Sequence, residues 1–393
     1  MSDPSRLIFA AGVVAALHVT KLPPAVPALQ EALGVTLVQA GFLLSLVQLA
    51  GMTLGVACGA WADGLGAKRS MGIGLMLLAA ASTLGGFAQS VVSLMCLRAV
   101  EGLGFLLVVL PGPGWMRRVA PPQRLAAALG LWSAYMPAAT ALALLIGPLF
   151  TTQLGWRWWW WAMAALTLAM AWALSRVAYD ERPRATTLEP QFLQRLQQTL
   201  RAPGPWLVAA VFALYAFQWL AVIGFLPTVY RQAGLSPAAT GVLTALVAAV
   251  NIVGNVGAGR LLQQGQPATR LLRTGFVIMA VAALGLYAGA GEQGLSPTLR
   301  YVCALAFSIG GGLIPATLFT LAVRVAPGPQ TTSTTLGWVQ QGSALGQFCG
   351  PPLVAGVASM VGGWHWSGAV TGTAALLALL LIGPLRRHGT IRD

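Results

Sequence analysis

The sequence predicts an all-α membrane protein of twelve transmembrane helices, arranged as two pseudo-symmetric six-helix bundles. Three observations predict it: too few charges to cover a water-facing surface, twelve apolar stretches long enough to cross a bilayer, and an internal repeat at a shift of about 200 residues. The chain has 393 residues, 57% hydrophobic and 8% charged, with a mean hydropathy of +0.74. Soluble globular chains carry about 25% charged residues, so most of this surface must face lipid.

A membrane helix needs about 20 apolar residues to cross a hydrocarbon core of ~30 Å. The first six candidates are 7–28, 37–60, 70–89, 91–115, 124–150 and 158–178. The last of these follows Gly155 with Trp156-Arg157-Trp158-Trp159-Trp160-Trp161, which reads as an aromatic anchor at the outer headgroup interface. A polar stretch, 179–205, then separates the halves. Within it Phe192, Leu193, Leu196 and Leu200 recur at helical spacing, with Arg195 and Arg201 elsewhere on the turn. That pattern predicts a short amphipathic helix on the inner membrane surface. The second six candidates are 206–229, 237–262, 271–290, 299–323, 333–360 and 367–385. The expected domains are therefore 1–178 and 206–393, with the linker between them.

With both termini cytoplasmic, eighteen of the 23 Lys and Arg residues fall on the cytoplasmic side and three in outer loops; Lys21 and Arg98 lie inside spans. This asymmetry is the positive-inside signature of a multi-pass protein in a plasma membrane, here a bacterial inner membrane. The start of the chain lacks the pattern of a cleaved signal peptide and reads as the first span.

The repeat is ungapped through the first two spans of each half. Pro27, Gly34, Gly41 and Gly59 meet Pro227, Gly234, Gly241 and Gly259. Further on, Arg118-Val119-Ala120-Pro121 recurs as Arg324-Val325-Ala326-Pro327, and Gly102-Leu103-Gly104 is set against Gly310-Gly311-Gly312. Six spans repeated in one orientation imply a pseudo-twofold axis along the membrane normal. Many secondary transporters have this design, with the solute site near the midplane between halves.

The second span carries Gly51, Gly55 and Gly59 at every fourth position, a flat stripe for close helix contact. The residues from Gly59 to Arg69 read Gly-Ala-Trp-Ala-Asp-Gly-Leu-Gly-Ala-Lys-Arg. They resemble the loop 2–3 signature of the major facilitator superfamily, G-x-x-x-D-R-x-G-R-R, with Gly64 in place of the first arginine. Arg98 to Gly104 is similar to the R-x-x-x-G-x-G pattern of that superfamily's fourth span. The resemblance extends over the whole chain, and its texture is similar to the branch of cyanate and nitroimidazole transporters. It implies a conformational latch at Gly59, Asp63, Lys68 and Arg69. It also implies that spans one, four, seven and ten line a central cavity.

Charged side chains deep in a membrane cost several kcal/mol and mark cavities or partners. The spans hold His18 and Lys21, three apart on the first, and Arg98 and Glu101, three apart on the fourth. The expectation is a cavity with one uncompensated cation that binds an anionic solute through His18, Lys21 and Arg98. Alternatively, Arg98 and Glu101 form only an internal ion pair, Lys21 snorkels to the headgroups, and His18 is a packed neutral imidazole. Tyr215, Gln218 and Trp219 on the seventh span and Gln340 on the eleventh are further solute-binding candidates. Glu101 and His18 are the proton-coupling candidates.

The net charge of +14 sits in short gaps between apolar runs, which argues against nucleic acid. Cys58, Cys96, Cys303 and Cys349 each lie alone within an apolar run, and His18, His365 and His388 are scattered, so neither metal site nor cofactor is expected. The cysteines read as small apolar packing residues. Catalytic constellations and nucleotide-binding loops are missing from the sequence, which argues against an enzyme. The expected function is secondary transport of a small organic anion, without ATP, by a monomer in lipid, with protons as a coupling candidate. The alternative is proton-driven efflux of lipophilic or cationic compounds.

Overall fold

The computed structural model describes residues 4–121, 132, 134–177, 190–288 and 295–387, with the side chains of 58–64, 190, 191, 329, 386 and 387 outside that set. The first half runs α1 (Pro4–Thr20), α2 (Val26–Leu33), α3 (Leu37–Ser45), α4 (Leu49–Leu65), α5 (Ala67–Gly86), α6 (Val91–Val109), α7 (Gly112–Val119), α8 (Tyr135–Gln153) and α9 (Trp156–Ser175). A linker helix, α10 (Pro190–Arg201), follows. The second half runs α11 (Pro203–Gln232), α12 (Pro237–Gln263), α13 (Ala268–Tyr287), α14 (Pro297–Arg324), α15 (Thr332–Val361) and α16 (Ser367–Arg387).

Ten helical stretches among the described residues are long and apolar enough to cross a membrane, and they fall at ten of the twelve expected spans. The other two expected spans are α5 and α9, each a 20-residue helix. Lys68 and Arg69 dilute the apolar character of α5, and Arg157 that of α9, whose indoles suit an interface better than a hydrocarbon core. Large apolar side chains such as Val92, Met360 and Leu380 stand exposed, the outward face expected of helices solvated by lipid.

The helix ends follow local chemistry. Pro23 and Pro24 cannot donate backbone hydrogen bonds, so the first span breaks between α1 and α2. Pro111 and Pro113 accompany the break between α6 and α7, and the fourth expected span continues past 115 to Val119. Gly34 ends α2 in the left-handed region at φ 63°, its N–H bonded to the Gln30 carbonyl at 3.1 Å.

The repeat survives as structure. Gly34 and Gly234 both have positive φ, and so do Gly66 and Gly265. Helices α5 and α13 have the same length, offset by 201, and Ser90 and Ser296 both cap the helix that follows, offset by 206. A Cβ at Gly74 would lie 2.6 Å from the Gly104 carbonyl, and one at Gly275 would lie 2.9 Å from the Gly310 carbonyl. Gly104 therefore corresponds to Gly310, not to Gly312. The register of 206 runs unbroken from the Ser caps to the Arg-Val-Ala-Pro pair.

The chain forms two compact units: residues 1–39, 46–188 and 226–245, and residues 40–45, 189–225 and 246–393. In the first, α5 packs tightly on α6 and α9, and α1 lies against α8, α9 and α6. In the second, α13 packs on α14 and α16. Gly342 and Gly346 on α15 sit against the backbone of Ala209 and Ala213 on α11, too close for any Cβ. The linker helix belongs to this second unit, where the Thr199 and Thr334 hydroxyls pair at 2.9 Å.

Two sequence expectations change. Cys96 and Cys349 are exposed, not packed inside; on a lipid-facing surface a thiol is an apolar group like its neighbours. The tryptophan run is only partly an outer anchor. Trp158 is exposed, but Trp156, Trp159 and Trp160 share one helical face and are buried in the first unit.

Candidate functional site

The proline break in α1 creates the site. Pro23 and Pro24 have no N–H with which to take the Val19 and Thr20 carbonyls in helical fashion. The Val19 carbonyl accepts from the Arg98 guanidinium of α6 at 3.4 Å, and the neighbouring His18 carbonyl accepts from the same guanidinium. The Lys21 carbonyl accepts from Trp159 Nε1 of α9 at 2.9 Å. The broken turn is thus sutured to two neighbouring helices by side chains that would otherwise be costly to bury.

The side chains of that turn converge on Glu101. Arg98 Nη1 donates to Glu101 Oε2 at 2.6 Å, and Lys21 Nζ donates to Oε1. His18 Nδ1 stands 3.3 Å from the same Oε1 and 3.5 Å from Lys21 Nζ. Lys21 also donates to Ser82 Oγ of α5 at 2.8 Å, and its ammonium lies 4.7 Å from the centroid of the Trp160 ring. His18 Nε2 meets Thr167 Oγ1 of α9 at 2.7 Å. His18 and Lys21 are fully buried, and Arg98 and Glu101 are 1% exposed. Glu101 is the one buried acid among the described residues. With His18 neutral, two cations face one carboxylate, a formal charge of +1 inside the first unit.

All four charged candidates of the first and fourth spans are therefore brought together. Arg98 and Glu101 do form an ion pair, and Lys21 is buried inside the unit instead of snorkelling outward. Sequence reasoning missed Ser82, Thr167, Trp159 and Trp160. The spacing of the tryptophans was the available signal, since 156, 159 and 160 mark a helix face.

The candidates of the second unit form a different environment. Tyr215, Gln218 and Trp219 lie buried on α11, and Gln340 is half-buried on α15. The Gln218 amide donates to the Leu214 carbonyl at 2.9 Å. Gln218 Oε1, Trp219 Nε1, Ser308 Oγ and Gln340 Oε1 have no hydrogen-bond partner among the described residues. The Tyr215 ring packs on Gly311, where a Cβ would approach it to 3.3 Å. Asn251 reaches the Ser308 carbonyl at 2.9 Å. Buried polar atoms left unpaired are costly and point to a missing partner such as water or a ligand.

Among the expected latch residues, Lys68 donates to the carbonyls of Ser175 at 3.0 Å and Val177 at 2.7 Å, tying the start of α5 to the end of α9. Arg69 is exposed. The side chains of Gly59 and Asp63 lie outside the described residues.

A sequence model described as Major Facilitator Superfamily matches residues 8–348. The 2-nitroimidazole transporter of Escherichia coli is 24% identical over 97% of this chain and 95% of its own. The tetracenomycin C resistance and export protein of Streptomyces glaucescens is 30% identical over 39% of this chain; the match spans 29% of that longer relative. A solved bacterial homologue of the human lysosomal transporter Spinster, inward-facing and occupied, superposes with a TM-score of 0.80 over 99% of this chain and 98% of its own, at 16% identity. A D-xylose–proton symporter superposes with a TM-score of 0.74 over 96% of each chain, at 17% identity.

Proposed function

Because the chain belongs to the Major Facilitator Superfamily, we propose that this transporter moves a small organic anion across a bacterial inner membrane by alternating access. The observation that carries the reading is the excess of cations over acids at His18, Lys21, Arg98 and Glu101. A buried net charge is costly, by several kcal/mol per uncompensated ion, about what a matching charge can return. An arriving carboxylate or similar anion supplies that match. In the second unit, the unpaired groups Gln218, Trp219 and Gln340, with Tyr215 on the same helix as the first two, remain the solute-binding candidates for hydrogen bonds and ring contact.

In this reading residues 1–178 and 206–393 are the two moving halves, and 179–205 connects them. Both termini are cytoplasmic, the protein works as a monomer in lipid, and Gly59, Asp63, Lys68 and Arg69 latch one state. Glu101 and His18 supply a route for coupling to protons.

The named relatives favour a second reading. The tetracenomycin C and puromycin resistance proteins match 39% and 40% of the chain, which favours proton-driven efflux of lipophilic or cationic compounds. Such a substrate calls for a free acid, and Glu101 is already shared by Lys21 and Arg98.

A thermal-shift screen of the purified protein separates the two. Organic anions raise the unfolding midpoint of the wild type, and the rise disappears in Lys21→Met. Stabilisation by lipophilic cations alone would establish the second reading and reject the first.

A further inference from the structure

Two short contacts meet at one hydroxyl. Thr167 Oγ1 lies 2.7 Å from the Met163 carbonyl oxygen and 2.7 Å from His18 Nε2. A threonine hydroxyl has a single hydrogen, and a carbonyl oxygen can only accept. If that hydrogen pointed at the imidazole, two oxygens would face each other at 2.7 Å with nothing between them. The hydrogen must therefore go to Met163, and Nε2 must supply the one for its own contact. We infer that Thr167 is a positioning residue that holds His18 with its hydrogen on Nε2, and that His18 Nδ1 is the atom at which the buried cluster takes up a further proton.

Ser82 works by the same rule. Its hydroxyl donates to the Trp160 carbonyl at 2.8 Å, so it accepts from Lys21 at 2.8 Å. Of the three ammonium hydrogens, one goes to Ser82 and one to Glu101. The third faces His18 Nδ1 at 3.5 Å. In this state each Lys21 hydrogen has an acceptor while the imidazole is neutral.

A proton added to Glu101 would remove the negative charge that both Lys21 and Arg98 face. A proton added to Nδ1 finds an acceptor waiting, Glu101 Oε1 at 3.3 Å. Lys21 keeps Ser82 and Glu101, and the face of Trp160 stays beside its charge. The titratable groups facing His18 are Lys21 on its own helix and Arg98 and Glu101 on α6. Helices α5 and α9 present Ser82, Thr167 and Trp160, and Tyr135 of α8 packs on Trp132 instead.

The extra proton raises the formal charge of the cluster from +1 to +2. A nearby anion favours that step. By linkage, proton and anion each tighten the binding of the other. This second step rests on the anion reading above; the assignment of hydrogens does not.

Nitrogen-15 NMR of histidine-labelled protein tests both. His365→Asn and His388→Asn leave His18 as the one labelled imidazole. At high pH the expected spectrum has a protonated Nε2 and a lone-pair Nδ1, and the Nδ1 signal shifts to the protonated position as pH falls. In Thr167→Val the preference is lost and Nδ1–H signal appears at high pH; Thr167→Ser restores the wild-type pattern. Wild-type protein with its hydrogen on Nδ1 overturns the inference, whether or not the variants fold. So does a Thr167→Val spectrum identical to wild type. Benzoate, added as a probe anion, is expected to move the Nδ1 transition to higher pH. If it does not while the wild-type hydrogens stand as assigned, the anion reading fails and the hydrogen assignment survives.

Discussion

Glu101 has two carboxylate oxygens and three basic neighbours, and each oxygen already receives a cation. Removing one partner from a buried ion pair strands the others, which typically costs about 3–5 kcal/mol. Glu101→Gln is therefore expected to lower the unfolding midpoint in detergent far more than substitution of an exposed charge such as Arg69. An unchanged midpoint would mean that Lys21 and Arg98 are compensated elsewhere. The four ionisable residues were legible in the sequence because charge is so scarce inside spans. Their mutual contact was not. Ser82 and Thr167 were illegible for the opposite reason: serine and threonine are common in spans, and most of those here bond their own helix, as Thr83 and Thr371 do.

Helix positions were readable from hydropathy, but the breaks at Pro23-Pro24 and Pro111 were not, because Pro148, Pro227 and Pro315 sit inside unbroken helices. Packing partners were not, because a glycine stripe does not say which helix it meets. The stripe Gly342-Gly346-Gly350 meets the carbonyl row of Ala209, Ala213 and Phe217 on α11. Gly346→Ala is accordingly expected to destabilise by about 1–3 kcal/mol through overpacking. Gly257→Ala on α12, where a Cβ would meet nothing within 4 Å, is expected to stabilise by about 0.5–1 kcal/mol through helix propensity. Opposite shifts in thermal midpoint would support this packing; equal shifts would refute it. The linker carries a helix at Pro190–Arg201, with Leu193 exposed.

Across the whole molecule, the two halves share a backbone plan but not a chemistry. In the structural register, Arg98 and Glu101 fall on Ala304 and Phe307, Lys21 on Ala221, and Ser82 on Ala283, all fully buried. His18 falls on Gln218, whose Oε1 is unpaired. Among the described residues the buried charge lies in one half only, while the other holds uncharged buried polar groups. This asymmetry became visible only once the helix register had been fixed by the glycine contacts and serine caps. The placement of Lys and Arg predicts an orientation with both termini cytoplasmic. Cysteines placed at Arg69 and Leu154 are expected to react with impermeant thiol reagents from opposite sides of the membrane, against a background without native thiols. Labelling from one side would undo the span count between them.

The most direct test is uptake into proteoliposomes of whichever organic anion stabilises the purified protein, compared between wild type and Lys21→Met at equal reconstituted density. Loss of a charged hydrogen-bonding partner is worth roughly 1.5–3 kcal/mol, so uptake should fall about ten- to a hundredfold. Equal uptake by the two proteins would contradict the claim that the buried cationic cluster governs transport.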